Sequence, residues 1–211
     1  MKKLVRFRNP GKVVTVHDLV RGEVSVDTTD LGDFIIARTI DEPVFHLANV
    51  IDDHDEGVTH VIRAEEHLAN TPRQILIFEA LGWDIPTYAH LPLVLGPDKL
   101  KLSKRRGALP MLAYRDLGYL PEAVFNCVAL VGWNPGGEKE IFTKEELIDL
   151  FELDRVQKGG ALFSEEKLNW FNREYIKKLS IVEQKEGVRK FLPSTLLQLD
   201  NKIFEKLFPV I

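Results

Sequence analysis

An α/β fold is predicted for this chain by three features of its sequence. The first forty residues read as short strands separated by turns. Residues 58–82 read as a strand, a polar loop and a buried helix, and the chain beyond Arg106 reads as a series of capped helices. A strand, a polar loop and a buried helix form half of a nucleotide-binding fold, in which ligands lie beyond the carboxyl ends of the strands. The expected architecture is therefore half of a nucleotide-binding, Rossmann-type fold, preceded by a β-rich piece and followed by a mostly helical region.

In the β-rich piece, Val5 and Phe7 alternate with Arg6 and Arg8, and Asn9-Pro10-Gly11-Lys12 has turn chemistry. Val13–Val16, Glu23–Val26 and Phe34–Ala37 follow, each bounded by Gly or Asp. Their partner strands are expected to lie outside the chain. Val58–Arg63 is the next strand and runs into Arg63, Glu65, Glu66 and His67. Thr71-Pro72-Arg73-Gln74 then opens a helix, with Thr71 as N-cap, Pro72 at the first helical position and Gln74 completing a capping box. That helix is apolar nearly all round, so it must be buried in a larger body, and Gly82 can end it. Pro121 opens a helix that carries Ala123, Val124, Cys127, Leu130 and Val131 up to Gly132. Thr143–Glu146 and Ser180–Glu183 are capping boxes, and Ser164 caps the helix of Leu168, Trp170 and Phe171. Trp83, Trp133 and Trp170 are assigned to packing, and Lys202–Phe208 is an amphipathic stretch.

Composition narrows the function classes. A chain of 211 residues, 45% hydrophobic and 28% charged, needs no covalent staples for its core. Its one thiol, Cys127, excludes a disulfide framework and a Cys-rich zinc site. The apolar runs are too short to cross a bilayer and the charged N-terminus does not read as a signal peptide, so a cytoplasmic location is expected. Charge is unevenly spread: residues 42–82 carry two Lys/Arg against eight Asp/Glu, whereas 83–115 carry six against two. Five of those cations fall within Lys99–Arg106. A short basic run is most simply a solvated loop. The competing reading is a phosphate contact, because a lysine ammonium can follow a polyphosphate whose charge shifts. Asp52-Asp53-His54-Asp55-Glu56 has neither EF-hand nor HExxH spacing, so it reads as an acidic turn between helix and strand, and no protein-held metal is expected. No Ser/His/Asp or Cys/His arrangement is legible. Taken alone, Arg63 reads as a structural ion pair with Glu65 or Glu66, and Asn49 as a helix-face amide satisfied by its neighbours.

Lys101-Leu102-Ser103-Lys104-Arg105 resembles the KMSKS signature of class I aminoacyl-tRNA synthetases, in the variant of the glutamyl type. Phe45–His54, Thr59–His67, Thr71–Gln74, Gly118–Ala123, Glu140–Thr143 and Lys167–Asn172 are similar to further strings of that family, in the family's order. The likeness weakens after about residue 180. It implies glutamate–tRNA ligation, with L-glutamate, ATP (with Mg2+ as its substrate complex) and tRNA(Glu) as partners and a monomeric parent. It also implies that Phe45 and Asn49 lie against the amino acid and that Arg63 pairs with the substrate carboxylate. Glu66 would accept from the adenosine moiety, and the backbone near Leu93 and Val94 would meet the adenine. Lys104, helped by Lys101, Ser103 and Arg105, would hold the phosphates.

Two departures from the family stand out. Phe45 occupies a position where the family usually has Tyr, so a hydroxyl is lost. Nothing in residues 1–41 resembles the family's N-terminal HIGH signature, so the chain is expected to be an internal fragment that is inactive alone. Residues 1–41 would be the end of an acceptor-binding insertion and 42–82 the second half of the catalytic domain. Residues 83–180 would form a stem-contact region with the cationic loop, and 181–211 would begin a helical anticodon-binding region. The alternatives are a non-catalytic RNA-binding module on the same scaffold and a glutaminyl-tRNA synthetase.

Overall fold

Residues 4–103, 105, 108–192 and 208 are described in a computed structural model of the chain. The chain forms two units. The first takes in Met1–Val94, Gly132–Asn134 and Glu152–Ala161, and the second Leu95–Val131, Pro135–Phe151 and Leu162–Ile211.

In the first unit β1 (Val5–Phe7), β2 (Val13–Asp18), β3 (Gly22–Asp27) and β4 (Phe34–Thr39) fall where the sequence pattern places them. Their partners, expected outside the chain, lie within it. β1 and β5 (Glu42–Pro43) flank β4 in an antiparallel sheet. β2 pairs antiparallel with β3 from Val13–Asp27 to Asp18–Gly22, and in parallel with β7 (Thr87–Leu91) at Asp18–Tyr88. β6 (His60–Ala64) adds in parallel on the far side of β7 and forms one edge of the sheet β3-β2-β7-β6. The sequence pattern did not foresee β7, because Tyr88, Ala89 and His90 are all buried and no in–out alternation exists to read.

Two helices complete this unit, α1 (Phe45–Asp55) and α2 (Thr71–Leu81). The all-round apolar character of α2 has a packing cause. Ile75 and Leu76 pack with Val14, Val16 and Tyr88 of the sheet, whereas Ile77 and Phe78 pack with Val50 of α1. Each such side chain, fully buried, contributes about 1.5–3 kcal/mol. Gly82 ends α2 in the left-handed region, at φ 71°. Asp52–Asp55 form the last turn of α1 rather than a separate acidic turn, and His54 there stacks on Trp83 with ring centroids 3.8 Å apart.

The start of α2 corrects the capping-box expectation. Its N-cap is Asn70, already helical at φ −84° and ψ −29°, and no side chain caps it. A 3-10 turn over Glu65–Asn70 runs straight into the helix, so Thr71 has no cap to make. The polar groups of Thr71 and Gln74 are buried in the unit instead.

The second unit is helical: α3 (Met111–Asp116), α4 (Pro121–Ala129), α5 (Lys144–Leu150), α6 (Glu165–Lys178) and α7 (Ile181–Phe191). The capping boxes at Thr143 and Ser180 both form, and Ser164 caps α6 by accepting the Lys167 amide at 3.2 Å. α4 stops at Ala129, short of the expected Val131. Tyr114, Ala123, Val124, Cys127, Leu168 and Phe171 make the core. Burial pushes the Cys127 thiol up to about 11, so it is an inert packing group at neutral pH. Trp170 meets Phe171 edge-on at 5.0 Å, and in the first unit Trp133 donates to the Glu152 carbonyl at 3.0 Å. Lys202–Leu207 of the amphipathic stretch lie outside the described residues.

Candidate active site

Arg63 stands next to the carboxyl end of β6, where a parallel strand of an α/β sheet presents ligand contacts. Its Nε donates to His90 Nε2 at 3.1 Å. Its Nη2 donates to Thr71 Oγ1 at 2.8 Å and to Gln74 Oε1 at 2.7 Å. Gln74 in turn donates through Nε2 to Asn49 Oδ1. One buried glutamine therefore joins two residues singled out from the sequence, Arg63 on β6 and Asn49 on α1.

The ion pair considered for Arg63 is not made. Glu65 binds Arg21 Nη2 with one carboxylate oxygen and accepts the Leu93 amide at 3.0 Å with the other. Glu66 is exposed and lies 3.8 Å from His67 Nε2. With Nε and Nη2 of Arg63 held by neutral groups, Nη1 is the nitrogen of the guanidinium that donates to no described residue. Burial weakens the guanidinium's hold on its proton, countered by Tyr88 and Asp53 nearby, yet an arginine starts so high that it stays charged. Its Cζ sits 5.5 Å from the centroid of the Tyr88 ring.

Behind Arg63 is a second layer. His90 is wholly buried and its Nδ1 lies 2.6 Å from Asp18 Oδ2. Asp18 Oδ1 accepts the amides of Val20, Arg21 and His90 at 3.0, 2.8 and 3.2 Å. A carboxylate at Nδ1 and an arginine N–H at Nε2 are compatible with one state of the ring, the neutral imidazole protonated on Nδ1. Burial shifts His90 below the ordinary histidine range, against the pull of Asp18. Burial alone would raise Asp18, but the hydrogen bonds from Arg21, His90 and Val20 outweigh it and hold the carboxyl below its ordinary value.

The remaining sequence candidates divide between the two units. In the first, Phe45 opens α1 and is 52% exposed, with its ring 5.4 Å from that of His46 and 6.2 Å from that of His67. Leu93 uses its amide on Glu65 and its carbonyl on the Ala161 amide, at 2.9 Å. Its neighbour Val94, which opens β8 (Val94–Leu95), is 40% exposed. In the second unit, the Gly96 amide donates to the Leu100 carbonyl at 2.9 Å, and Asp98 Oδ1 accepts the Leu100 amide at 3.0 Å. Lys99 takes φ 59° to close this turn. Lys101 and Arg105 are exposed and Ser103 is half-buried; Lys104 lies outside the described residues.

Sequence reasoning missed Asp18, His90, Arg21 and the site roles of Thr71, Gln74 and Glu65. A histidine inside an apolar strand, Thr87–Leu91, was the available signal. No local spacing could pair it with Asp18, 72 residues earlier.

Among the described residues no helix is long and apolar enough to cross a membrane. Residues 1–170 match a family model described as tRNA synthetases class I (E and Q), catalytic domain. A glutamate–tRNA ligase of Desulforamulus reducens is 54% identical over 181 residues, which is 85% of this chain and 38% of that protein. The corresponding ligase of Carboxydothermus hydrogenoformans is 55% identical over 177 residues, 83% of this chain and 37% of that one. Among solved structures, a glutamate tRNA ligase from Elizabethkingia meningosepticum in complex with its amino acid superposes with a TM-score of 0.87 at 37% identity. That match covers 99% of this chain and 45% of the other. The chain thus spans less than half the length of these relatives.

Proposed function

The chain belongs to the class I tRNA synthetase family of the E and Q type, and we propose that it serves glutamate–tRNA ligation. In this reading the α-carboxylate of glutamate attacks the α-phosphate of ATP and pyrophosphate leaves. A hydroxyl of the terminal ribose of tRNA(Glu) then takes the glutamyl group and AMP leaves. Neither step needs a side-chain nucleophile, because both run on orientation and on neutralising phosphate charge.

The observation that carries this reading is the set Arg63–Gln74–Asn49 at the end of a parallel strand. Arg63 meets the substrate carboxylate through Nη1, Asn49 lies against the amino acid, and Phe45 adds a ring face without a hydroxyl. Glu66 and the backbone at Leu93 and Val94 serve the adenosine. Since Leu93 uses its own amide on Glu65, Val94 is the neighbour through which the adenine is met. Lys104, with Lys101, Ser103 and Arg105, serves the phosphates of ATP, which brings its Mg2+.

The parallel pair β6–β7 with α2 between them supports a Rossmann second half, and β6 at the sheet edge is where a first half adds its strands. In the functional layout we propose, residues 1–41 end an acceptor-binding insertion and 42–82 carry the second half. Residues 83–180 contact the tRNA stem, and 181–211 open a helical region.

Amino-acid-dependent ATP–pyrophosphate exchange tests this. The assay uses the 211-residue chain alone, then with a HIGH-bearing first half supplied on the same or a separate polypeptide. Exchange with glutamate is expected when both halves are present and is expected to be absent with the chain alone. Exchange with glutamine in place of glutamate would transfer the assignment to the glutaminyl enzyme. Exchange with neither, alongside tRNA binding, would make the chain an RNA-binding module.

A further inference from the structure

Asp18 and His90 have no role in the reaction just described, yet they are among the most deeply buried polar side chains of the first unit. We propose that Asp18 and His90 are positioning residues for Arg63. Asp18 holds the imidazole with its proton on Nδ1, so that the Nε2 lone pair takes the Arg63 Nε–H and leaves Nη1 to the substrate carboxylate. The proposal rests on the reading of Arg63 as the carboxylate-binding group.

The geometry separates this from a simple turn cap. Asp18 Oδ1 alone satisfies the turn after β2, since it accepts the amides of Val20 and Arg21. Oδ2 is directed instead at an imidazole that comes from another strand, β7. The His90 ring is then held at both nitrogens, by Asp18 on Nδ1 and on Nε2 by Arg63 Nε, with the Thr71 hydroxyl also 3.1 Å from Nε2. A flipped ring would set a carbon against the guanidinium, and a doubly protonated ring would set one N–H against another. Either change frees the Nε side of Arg63, while Thr71 and Gln74 hold Nη2 alone. A planar guanidinium held at Nε and Nη2 has one orientation left, and its remaining nitrogen is aimed before any ligand arrives.

The test uses the form of the protein that shows glutamate-dependent exchange. His90→Leu is expected to raise the KM for glutamate about tenfold or more while the KM for ATP is unchanged. His90→Gln, whose amide oxygen can accept from Arg63, is expected to recover most of that loss. Asp18→Asn preserves volume and covers the case in which His90→Leu does not fold; it too is expected to raise the KM for glutamate selectively. Independently of activity, 15N NMR of the imidazole is expected to show His90 protonated on Nδ1 and bare on Nε2. An unchanged KM for glutamate in the folded variants, an equal rise in both KM values, or an Nε2–H tautomer in the wild type would overturn the proposal. If the wild type shows no exchange with glutamate, the reading of the function fails, and the NMR result still decides whether Asp18 sets the His90 tautomer for Arg63.

Discussion

The Arg63 group and the Lys99–Arg105 loop hold positive charge in opposite ways. Arg63 has His90, Thr71 and Gln74 on two of its nitrogens, and Asp18 braces His90 from behind. In the loop, Lys101 and Arg105 are exposed, and backbone turns and an Asx-type bond at Asp98 shape the chain around Leu100. The difference teaches where rigidity is useful. A guanidinium aligned before binding loses little freedom when a small carboxylate arrives. Exposed ammonium groups lose more, but they can follow a phosphate whose charge moves during reaction.

The largest contrast is expected in stability. Arg63→Leu leaves the buried Gln74 Oε1 without its donor and Thr71 Oγ1 and His90 Nε2 with only each other, 3.1 Å apart, and an unsatisfied buried group costs about 1–3 kcal/mol. A loss of about 3 kcal/mol is therefore expected in urea unfolding, against less than about 0.5 kcal/mol for Lys101→Ala. Similar losses in the two variants would erase the distinction between the regions. Lys104→Ala should show the opposite profile, an exchange rate lower by about a hundredfold with an unchanged unfolding midpoint. That size is typical of removing one donor from a charge-stabilising site. A normal rate in that variant would take Lys104 out of the phosphate site.

Phe45→Tyr adds a hydroxyl to an exposed ring 6.2 Å from that of His67. One added hydrogen bond contributes about 0.5–1.5 kcal/mol, so the KM for glutamate should fall by a factor between about 2 and about 13. No change would mean that the site already does without it. The smallest effect concerns pH. His46 and His90 are both held below the ordinary histidine range, chiefly by burial. Their contribution to stability is complete above the unfolded value of about 6.5 and is lost as pH falls through the lower folded value. Asp18, also depressed, adds a second loss at more acid pH, below 3.8. A shallow decline in the unfolding midpoint below neutrality is expected, reduced in His90→Gln; a midpoint that rises on acidification would contradict this.

What the sequence disclosed followed the range of the interactions. β1 to β4 were legible because side-chain alternation and turn residues are local, and the caps at Thr143, Ser164 and Ser180 because a cap reaches three residues. Thr71 has the same signature but follows a 3-10 turn, and there the hydroxyl meets Arg63 instead of a backbone amide. β7 was hidden by burial on both faces, and His90 with it. Arg63 and Asn49 were named from the resemblance, but Gln74, which joins them, was assigned to capping. The Asp18–His90 contact spans two strands and is a property of the sheet, with no trace in local spacing.

The division of labour between the two regions is tested most directly by steady-state exchange kinetics of Arg63→Lys and Lys104→Ala, side by side in the active form of the protein. Lysine offers a point charge where a planar fork is held, so Arg63→Lys should raise the KM for glutamate at least tenfold and leave the KM for ATP as it was. Lys104→Ala should lower kcat or raise the KM for ATP, with the KM for glutamate unchanged. If both variants shift the same parameter, or if neither moves the one assigned to it, then the half-buried guanidinium and the cationic loop do not serve different ends of the reaction.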